Sequence, residues 1–168
     1  APSGRPLLPQ KWGEIQSMTI SYGHGLSTSP VHLATAYASI VNGGTRVRPT
    51  LLKQTGRTLG PQVVKPETSD TMRSMLRDVV QKGTATFAQV PGYDVGGKTG
   101  SADKPRPGGG YYKDKVLATF AGTFPVHDPQ YVFVVTLDEG YEIVNGKAFR
   151  TAGWTAVPVA AEIIRRIA

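Results

Sequence analysis

The sequence predicts an α+β fold in which helices cover a small antiparallel sheet. Three observations carry this. Two segments, near residues 30–41 and 66–82, repeat apolar residues at helical spacing between helix start and stop signals. Two runs rich in β-branched and aromatic residues, Val116–Phe124 and Tyr131–Leu137, are joined by a turn at His127-Asp128-Pro129. That connection is too short for a crossover, so the strands must be antiparallel. A last stretch from Trp154 to Ile167 again reads as a helix.

Residues 1–14 hold three prolines, two glycines and no periodicity, and read as a loop or cut end. The first residue is Ala1, not Met, which suggests a start made by cutting or engineering. Ser29-Pro30 opens the first helix, with Ser29 as N-cap and Pro30 in the first turn. Leu33, Ala34, Tyr37, Ala38 and Val41 form one apolar face, and Gly43-Gly44 ends it. Arg48–Gln54 is expected to be a short strand and 55–65 a loop. The second helix begins near Pro66, with Met72, Met75, Leu76, Val79 and Val80 on its apolar face, and Gly83 stops it. The two methionines are expected to pack in the core. Residues 93–101 read as a third strand and 102–114 as a Gly/Pro-rich excursion. In Val116–Phe124, Ala118, Phe120, Gly122 and Phe124 alternate with Leu117, Thr119, Ala121 and Thr123, which places the two sets on opposite faces. Pro158 is tolerable only near the start of the last helix.

The 168 residues suit one domain or a large piece of one. With 20 glycines and 13 prolines, loops are plentiful. Zero cysteines exclude disulfides and thiolate metal sites. The longest apolar run, Tyr131–Val135, is far below the ~18 residues a membrane-spanning helix needs. The formal net charge of +7 is spread along the chain, with no nucleic-acid motif, so no nucleic-acid partner is expected. His24, His32 and His127 show no metal-ligand spacing, and neither a metal nor another cofactor is expected.

The stretch that carries chemistry is Val95-Gly96-Gly97-Lys98-Thr99-Gly100-Ser101, and it has two readings. Gly92-x-x-x-x-Gly97-Lys98-Thr99 fits the phosphate-loop pattern G-x-x-x-x-G-K-[ST]. That machine needs a buried strand before the loop and a helix directly after Lys-Thr, whose N-terminal N–H groups hold phosphate. Here Pro105, Pro107 and several glycines follow, and Val90-Pro91-Gly92-Tyr93-Asp94 is a poor buried strand. Lys98-Thr99-Gly100 is also the K-T-G motif of penicillin-binding proteins and serine β-lactamases. That machine needs an open strand edge with small residues flanking the pair, and Gly97 and Gly100 supply them. Ser101-Ala102-Asp103-Lys104 matches S-x-x-K but reads as a decoy, because Pro105 and Pro107 forbid the helix that motif begins. Asp138 and Glu139 end a strand and are assigned no chemistry. Tyr111 and Tyr112 either line a cleft mouth or anchor their loop.

The wider context resembles class B penicillin-binding proteins of the cell-division D,D-transpeptidase type. The residues that carry the resemblance are Ser21-Tyr22-Gly23-His24-Gly25, Ser29-Pro30, Asn42-Gly43-Gly44 and Val79-Val80-x-x-Gly83-Thr84-Ala85. They continue through Gly92-Tyr93, Gly96-Gly97-Lys98-Thr99-Gly100-Ser101-Ala102, Gly109-Gly110-Tyr111, Ala118–Pro125 and Asp128-Pro129-Gln130-Tyr131-Val132. The resemblance spans about Trp12 to the C-terminus. It implies a penicillin-binding transpeptidase / serine β-lactamase-like fold, with residues 1–168 as the C-terminal part of a single transpeptidase domain. It further implies a peptidoglycan D,D-transpeptidase acting through a serine acyl-enzyme in cell division, and a target of β-lactams. The alternatives are a D,D-carboxypeptidase or β-lactamase-type hydrolase, and a β-lactam sensor module.

By this resemblance Lys98, Thr99, Gly100 and Ser101 are the catalytic group. Lys98 supplies positive charge and a proton link, and the Thr99 and Ser101 hydroxyls hold a substrate or β-lactam carboxylate. The Ser101 N–H is one of two oxyanion donors. The family usually has Thr where Ser101 stands, and the hydroxyl is kept. S-x-N occurs nowhere in the chain. The implied partners are therefore peptidoglycan stem peptides, β-lactams, division proteins, and a companion N-terminal segment carrying S-x-x-K and S-x-N. The implied location is the bacterial inner membrane, with the catalytic domain in the periplasm and the anchor outside this chain.

Overall fold

The structure, a computed structural model, describes residues 5–56 and 60–167. Residues 1–4 of the expected N-terminal loop and 57–59 of the expected 55–65 loop lie outside the described residues. The elements are α1 (Glu14–Ser21), α2 (Pro30–Val41), α3 (Pro66–Lys82), β1 (Gly96–Pro105), β2 (Tyr111–Phe124), β3 (Tyr131–Asp138), β4 (Glu142–Val144), β5 (Lys147–Phe149) and α4 (Ala156–Ile167), with a 3₁₀ turn at Thr86–Ala88 before β1. β1, β2 and β3 form an antiparallel sheet in that order, and β4–β5 is a separate two-stranded hairpin. This is the expected α+β architecture.

The caps work as the sequence suggested. Ser29 Oγ accepts from His32 N at 3.3 Å, and Pro30 occupies the first turn of α2. Beyond α2 the chain turns at Gly43 and Gly44, both at positive φ. Gly43 N donates to Ser69 Oγ at 3.1 Å, which fastens the end of α2 to α3 through a fully buried hydroxyl. On α3, Leu76 and Val80 are buried and Met72 is half-buried. Met75 is exposed, contrary to expectation, because it sits at the margin of the apolar face.

Alternation in β2 places two faces as predicted. Ala118, Phe120 and Phe124 join Phe133, Val135 and Leu137 of β3 in the main core, under Val157, Ala160, Ala161 and Ile164 of α4. The other face carries Ala121 and Thr123 toward α2 and α3, where Thr123 Oγ1 donates to Tyr131 O at 2.8 Å. Pro158 lies in the first turn of α4, where its missing N–H costs nothing.

Five local readings are corrected. Arg48–Gln54 is not a strand. A strand needs a ladder partner, and residues 48–54 have none among the described residues, the nearest pairing being the isolated Thr45–Gln62 bridge. Leu51 and Leu52 are exposed. The 102–114 excursion is mostly hairpin, because Ala102↔Leu117 and Asp103↔Val116 continue the ladder and only the tip turns. Glu14–Ser21 is helical where no element was assigned, and β4–β5 is a hairpin the sequence pattern did not mark. Trp154 and Thr155 belong to the turn before α4.

Candidate active site

β1 is placed by two close approaches that only glycine permits. A Cβ at Gly96 would lie 2.7 Å from Val126 Cγ2 and 3.2 Å from the Leu76 carbonyl carbon, so α3 lies directly on this strand. A Cβ at Gly97 would lie 2.6 Å from Phe120 Cζ and 2.7 Å from Ala121 O. Arg77 of α3 donates to Val95 O at 2.8 Å and pairs with Asp94 at 3.2 Å, which holds the entry to β1. The strand that leaves this anchor is fixed by the core, yet its next four residues emerge from it.

Those four are Lys98, Thr99, Gly100 and Ser101, paired with Ala121, Phe120, Thr119 and Ala118 respectively. Strand alternation puts Thr99 and Ser101 on one face and Lys98 and Gly100 on the other. Thr99 is half-buried and the other three are exposed. β1 is an edge strand, so its outer row of N–H and C=O groups has no ladder partner among the described residues. A Cβ at Gly100 would meet nothing nearer than Thr119 O at 4.0 Å, so this glycine keeps the outer surface of the strand flat. Lys98 Nζ donates to Thr99 O at 2.8 Å and makes no ion pair among the described residues.

Both hydroxyls are held from outside the strand. Thr84 Oγ1 is 2.6 Å from Thr99 Oγ1, and Ala152 N donates to Ser101 Oγ at 2.9 Å. Neither partner was singled out from sequence for a role. Thr84 lies in the Gly83-Thr84-Ala85 segment noted above, which was the one signal available. Ala152 acts through its backbone, which leaves no mark on residue type.

The rest of the candidate chemistry is dispersed. β1 runs on to Pro105 as strand, so no helix follows Lys98-Thr99 to receive phosphate, and the phosphate-loop reading fails. Ser101 and Lys104 sit on a strand, three residues apart, and so face opposite ways. Lys104 instead donates to Asp138 at 2.8 Å and Glu139 at 2.7 Å, and these bonds hold it protonated up to about 12. His32 Nδ1 meets Ser29 Oγ at 2.9 Å, and His127 stands in a turn with Nδ1 3.5 Å from Asp94. The His24 and Tyr111 rings are 6.4 Å apart, and the Tyr112 ring lies under Lys115 at 5.0 Å. A cavity of about 740 Å³ between α2, the following segment and the start of β3 contains none of residues 98–101. The candidate site is an open strand edge.

Three comparisons bear on this arrangement. A family profile described as penicillin binding protein transpeptidase domain matches residues 3–165. The probable peptidoglycan D,D-transpeptidase FtsI of Caulobacter vibrioides is 37% identical over 177 residues, covering 99% of this chain and 30% of the relative. Among solved structures, the apo transpeptidase domain of Burkholderia pseudomallei penicillin-binding protein 3 superposes with TM-score 0.79 at 38% identity, covering 92% of this chain and 46% of that one. The ampicillin complex of penicillin-binding protein 3 from Mycobacterium tuberculosis superposes with TM-score 0.76 at 31% identity, covering 97% of this chain and 40% of that one. The chain spans under a third of the length of the curated relatives it matches.

Proposed function

The chain belongs to the penicillin binding protein transpeptidase domain family, and from that premise we propose that it is the C-terminal part of one such domain and supplies the K-T-G side of a peptidoglycan D,D-transpeptidase. The observation that supports this most is the exposed edge strand. It offers a cation at Lys98, two hydroxyls at Thr99 and Ser101, and a flat surface at Gly100 within four residues.

In this reading the serine nucleophile and the S-x-N motif stand on a part of the protein outside the chain. The serine oxygen attacks the carbonyl carbon of the penultimate D-Ala of a stem peptide, and the terminal D-Ala leaves as an amine. An amine on a neighbouring strand then attacks the ester, forming the crosslink and releasing the serine. Lys98 stabilises negative charge and links protons to the S-x-N serine. The Thr99 and Ser101 hydroxyls hold the carboxylate of the terminal D-Ala. The Ser101 N–H, on an edge strand, is one of two donors to the oxyanion, an interaction worth ~10²–10³ in rate. A β-lactam carboxylate takes the same place, in keeping with the ampicillin bound by the Mycobacterium tuberculosis neighbour.

In this reading the enzyme acts on the cell wall during division, alongside division proteins. The catalytic part lies in the periplasm and the inner-membrane anchor lies elsewhere in the protein. Among the described residues, no helix is long and apolar enough to cross a membrane.

The test is fluorescent-penicillin labelling of the full-length protein, with Lys98→Ala beside it. The wild type acquires a covalent label, and the variant loses it at an unchanged melting temperature. Labelling of the variant at the wild-type rate would remove Lys98 from the chemistry. Crosslinked peptide products separate a transpeptidase from a carboxypeptidase or β-lactamase, which release hydrolysed product.

A further inference from the structure

The two hydroxyls of the K-T-G strand are each engaged by a group from another part of the chain, and the chemistry of these contacts is directional. A hydroxyl has one proton to give and two lone pairs to accept with. Ala152 N–H can only donate, so at 2.9 Å it occupies a lone pair of Ser101 Oγ and leaves the Ser101 proton free to point outward. At the 2.6 Å Thr84–Thr99 contact either oxygen can be the donor. An anion beside Thr99 resolves this, because Thr99 can donate to it only if Thr84 donates to Thr99. The chain Thr84 O–H to Thr99 O–H to anion is then polarised in one direction, and each bond strengthens the next.

The two supports are built as one unit. Gly83 N and Ala85 N both donate to Val79 O, at 3.1 and 3.2 Å, so the residues on either side of Thr84 are held at the end of α3. Ala85 and Ala152 are fully buried. Gly153 lies so close that a Cβ there would be 2.7 Å from Thr84 O, so the turn that carries Ala152 rests on the backbone of Thr84. Trp154 adds a clasp, with its ring 5.3 Å from Phe87 and 4.7 Å from Phe149.

We propose that Thr84 is a positioning residue which, together with the Ala152 N–H, sets the Thr99 and Ser101 hydroxyls as outward donors, so that the site selects ligands by an anionic carboxylate. This rests on the functional reading above, in which those hydroxyls meet the carboxylate of a D-Ala or a β-lactam. Thr84 touches neither ligand nor reacting atoms. It acts through Thr99.

The experiment uses the full-length protein and two probes, benzylpenicillin and its neutral methyl ester, each measured as a second-order acylation rate. Thr84→Val keeps the shape and removes the donor. It lowers the rate with benzylpenicillin about tenfold, the size of one lost hydrogen bond, and changes the rate with the ester less than twofold. Thr84→Ser restores the benzylpenicillin rate, and Thr84→Ala repeats the loss with a smaller side chain. Melting temperatures of all three stay at the wild-type value. An equal fall with both probes shows a structural role and overturns the proposal, as does an unchanged preference for the carboxylate. Failure of the wild type to react with either probe is a different result, which overturns the functional reading itself.

Discussion

Replacing Gly97 by alanine puts a methyl group into occupied space, while the same change at Gly100, three residues along the strand, does not. The Gly97 Cβ would stand 2.6 Å from Phe120 Cζ, 2.7 Å from Phe120 Cε2 and 2.7 Å from Ala121 O. Phe120 is fully buried among Gly97, Phe133 and α4, and Ala121 O belongs to the sheet backbone, so neither can yield cheaply. Overpacking of this kind costs about 1–3 kcal/mol. Neither glycine has a positive φ, so alanine also restricts the unfolded chain, a gain of about 0.4–1 kcal/mol at both sites. The net expectation is a loss of about 1.3 kcal/mol for Gly97→Ala from the middle of those two ranges, whose difference spans about 0–2.6 kcal/mol, and the contacts with backbone and a buried ring put it in the upper half. Gly100→Ala has a neighbour only at 4.0 Å and is expected to be neutral or slightly stabilising. At about 2–4 °C per kcal/mol, thermal unfolding of the full-length protein resolves the pair. Labelling with fluorescent penicillin then reverses the order. Gly100→Ala, whose methyl group rises from the outer surface of the strand, loses most of its labelling while still folded. Gly97→Ala labels at near the wild-type rate at temperatures where it remains folded. If Gly97→Ala melts with the wild type and Gly100→Ala melts earlier, the assignment of inner and outer glycines is wrong.

Truncating Phe120 to alanine leaves a cavity at the centre of the core, and a loss of about 3–5 kcal/mol is expected in chemical denaturation. Ser29→Ala removes the acceptor for His32 N and should cost about 1 kcal/mol without altering labelling, since α2 packs on β2, β3 and α3 and Ser29 stands at its N-terminal end. The Lys104–Asp138–Glu139 cluster predicts a pH dependence. Lys104 is raised to about 12 by hydrogen bonds to Asp138 and then Glu139, and Glu139 is lowered chiefly by its bond to Lys104. The Lys104 contribution is complete below its ordinary value of 10.5 and fades as pH rises through about 12. The Glu139 contribution is present above the ordinary carboxylate range and fades as pH falls through its lowered value. The melting-temperature gap between the wild type and Lys104→Met should therefore be widest near neutrality and narrow toward both extremes. A gap that stays constant from pH 7 to pH 3 would show that the cluster does not couple to folding.

Much of the fold was legible because it is local. The α3 face, the Ser29 cap, the alternation along β2 and the turn at 127–129 each follow from spacings within one element, which residue type records directly. The K-T-G strand was legible for a related reason: its glycines mark backbone that must be approached closely, and Gly96 and Gly97 are approached by α3 and Phe120. What escaped depends on partners distant in sequence. Arg48–Gln54 has strand-like residues but no ladder partner, while the Gly/Pro-rich 102–114 stretch became hairpin because β2 supplied one. Chain pairing, with its backbone hydrogen bonds, overrode local propensity in both places.

The sequence by itself determined the class of fold and the strand that carries Lys98, Thr99, Gly100 and Ser101, since both rest on short-range pattern. Only the tertiary structure decided how the two hydroxyls are held. Thr84 reaches Thr99 across 15 residues, and the Ala152 N–H reaches Ser101 across 51. A hydroxyl's direction is set by whatever donor folds against it, and when that donor is a backbone N–H any residue but proline could supply it.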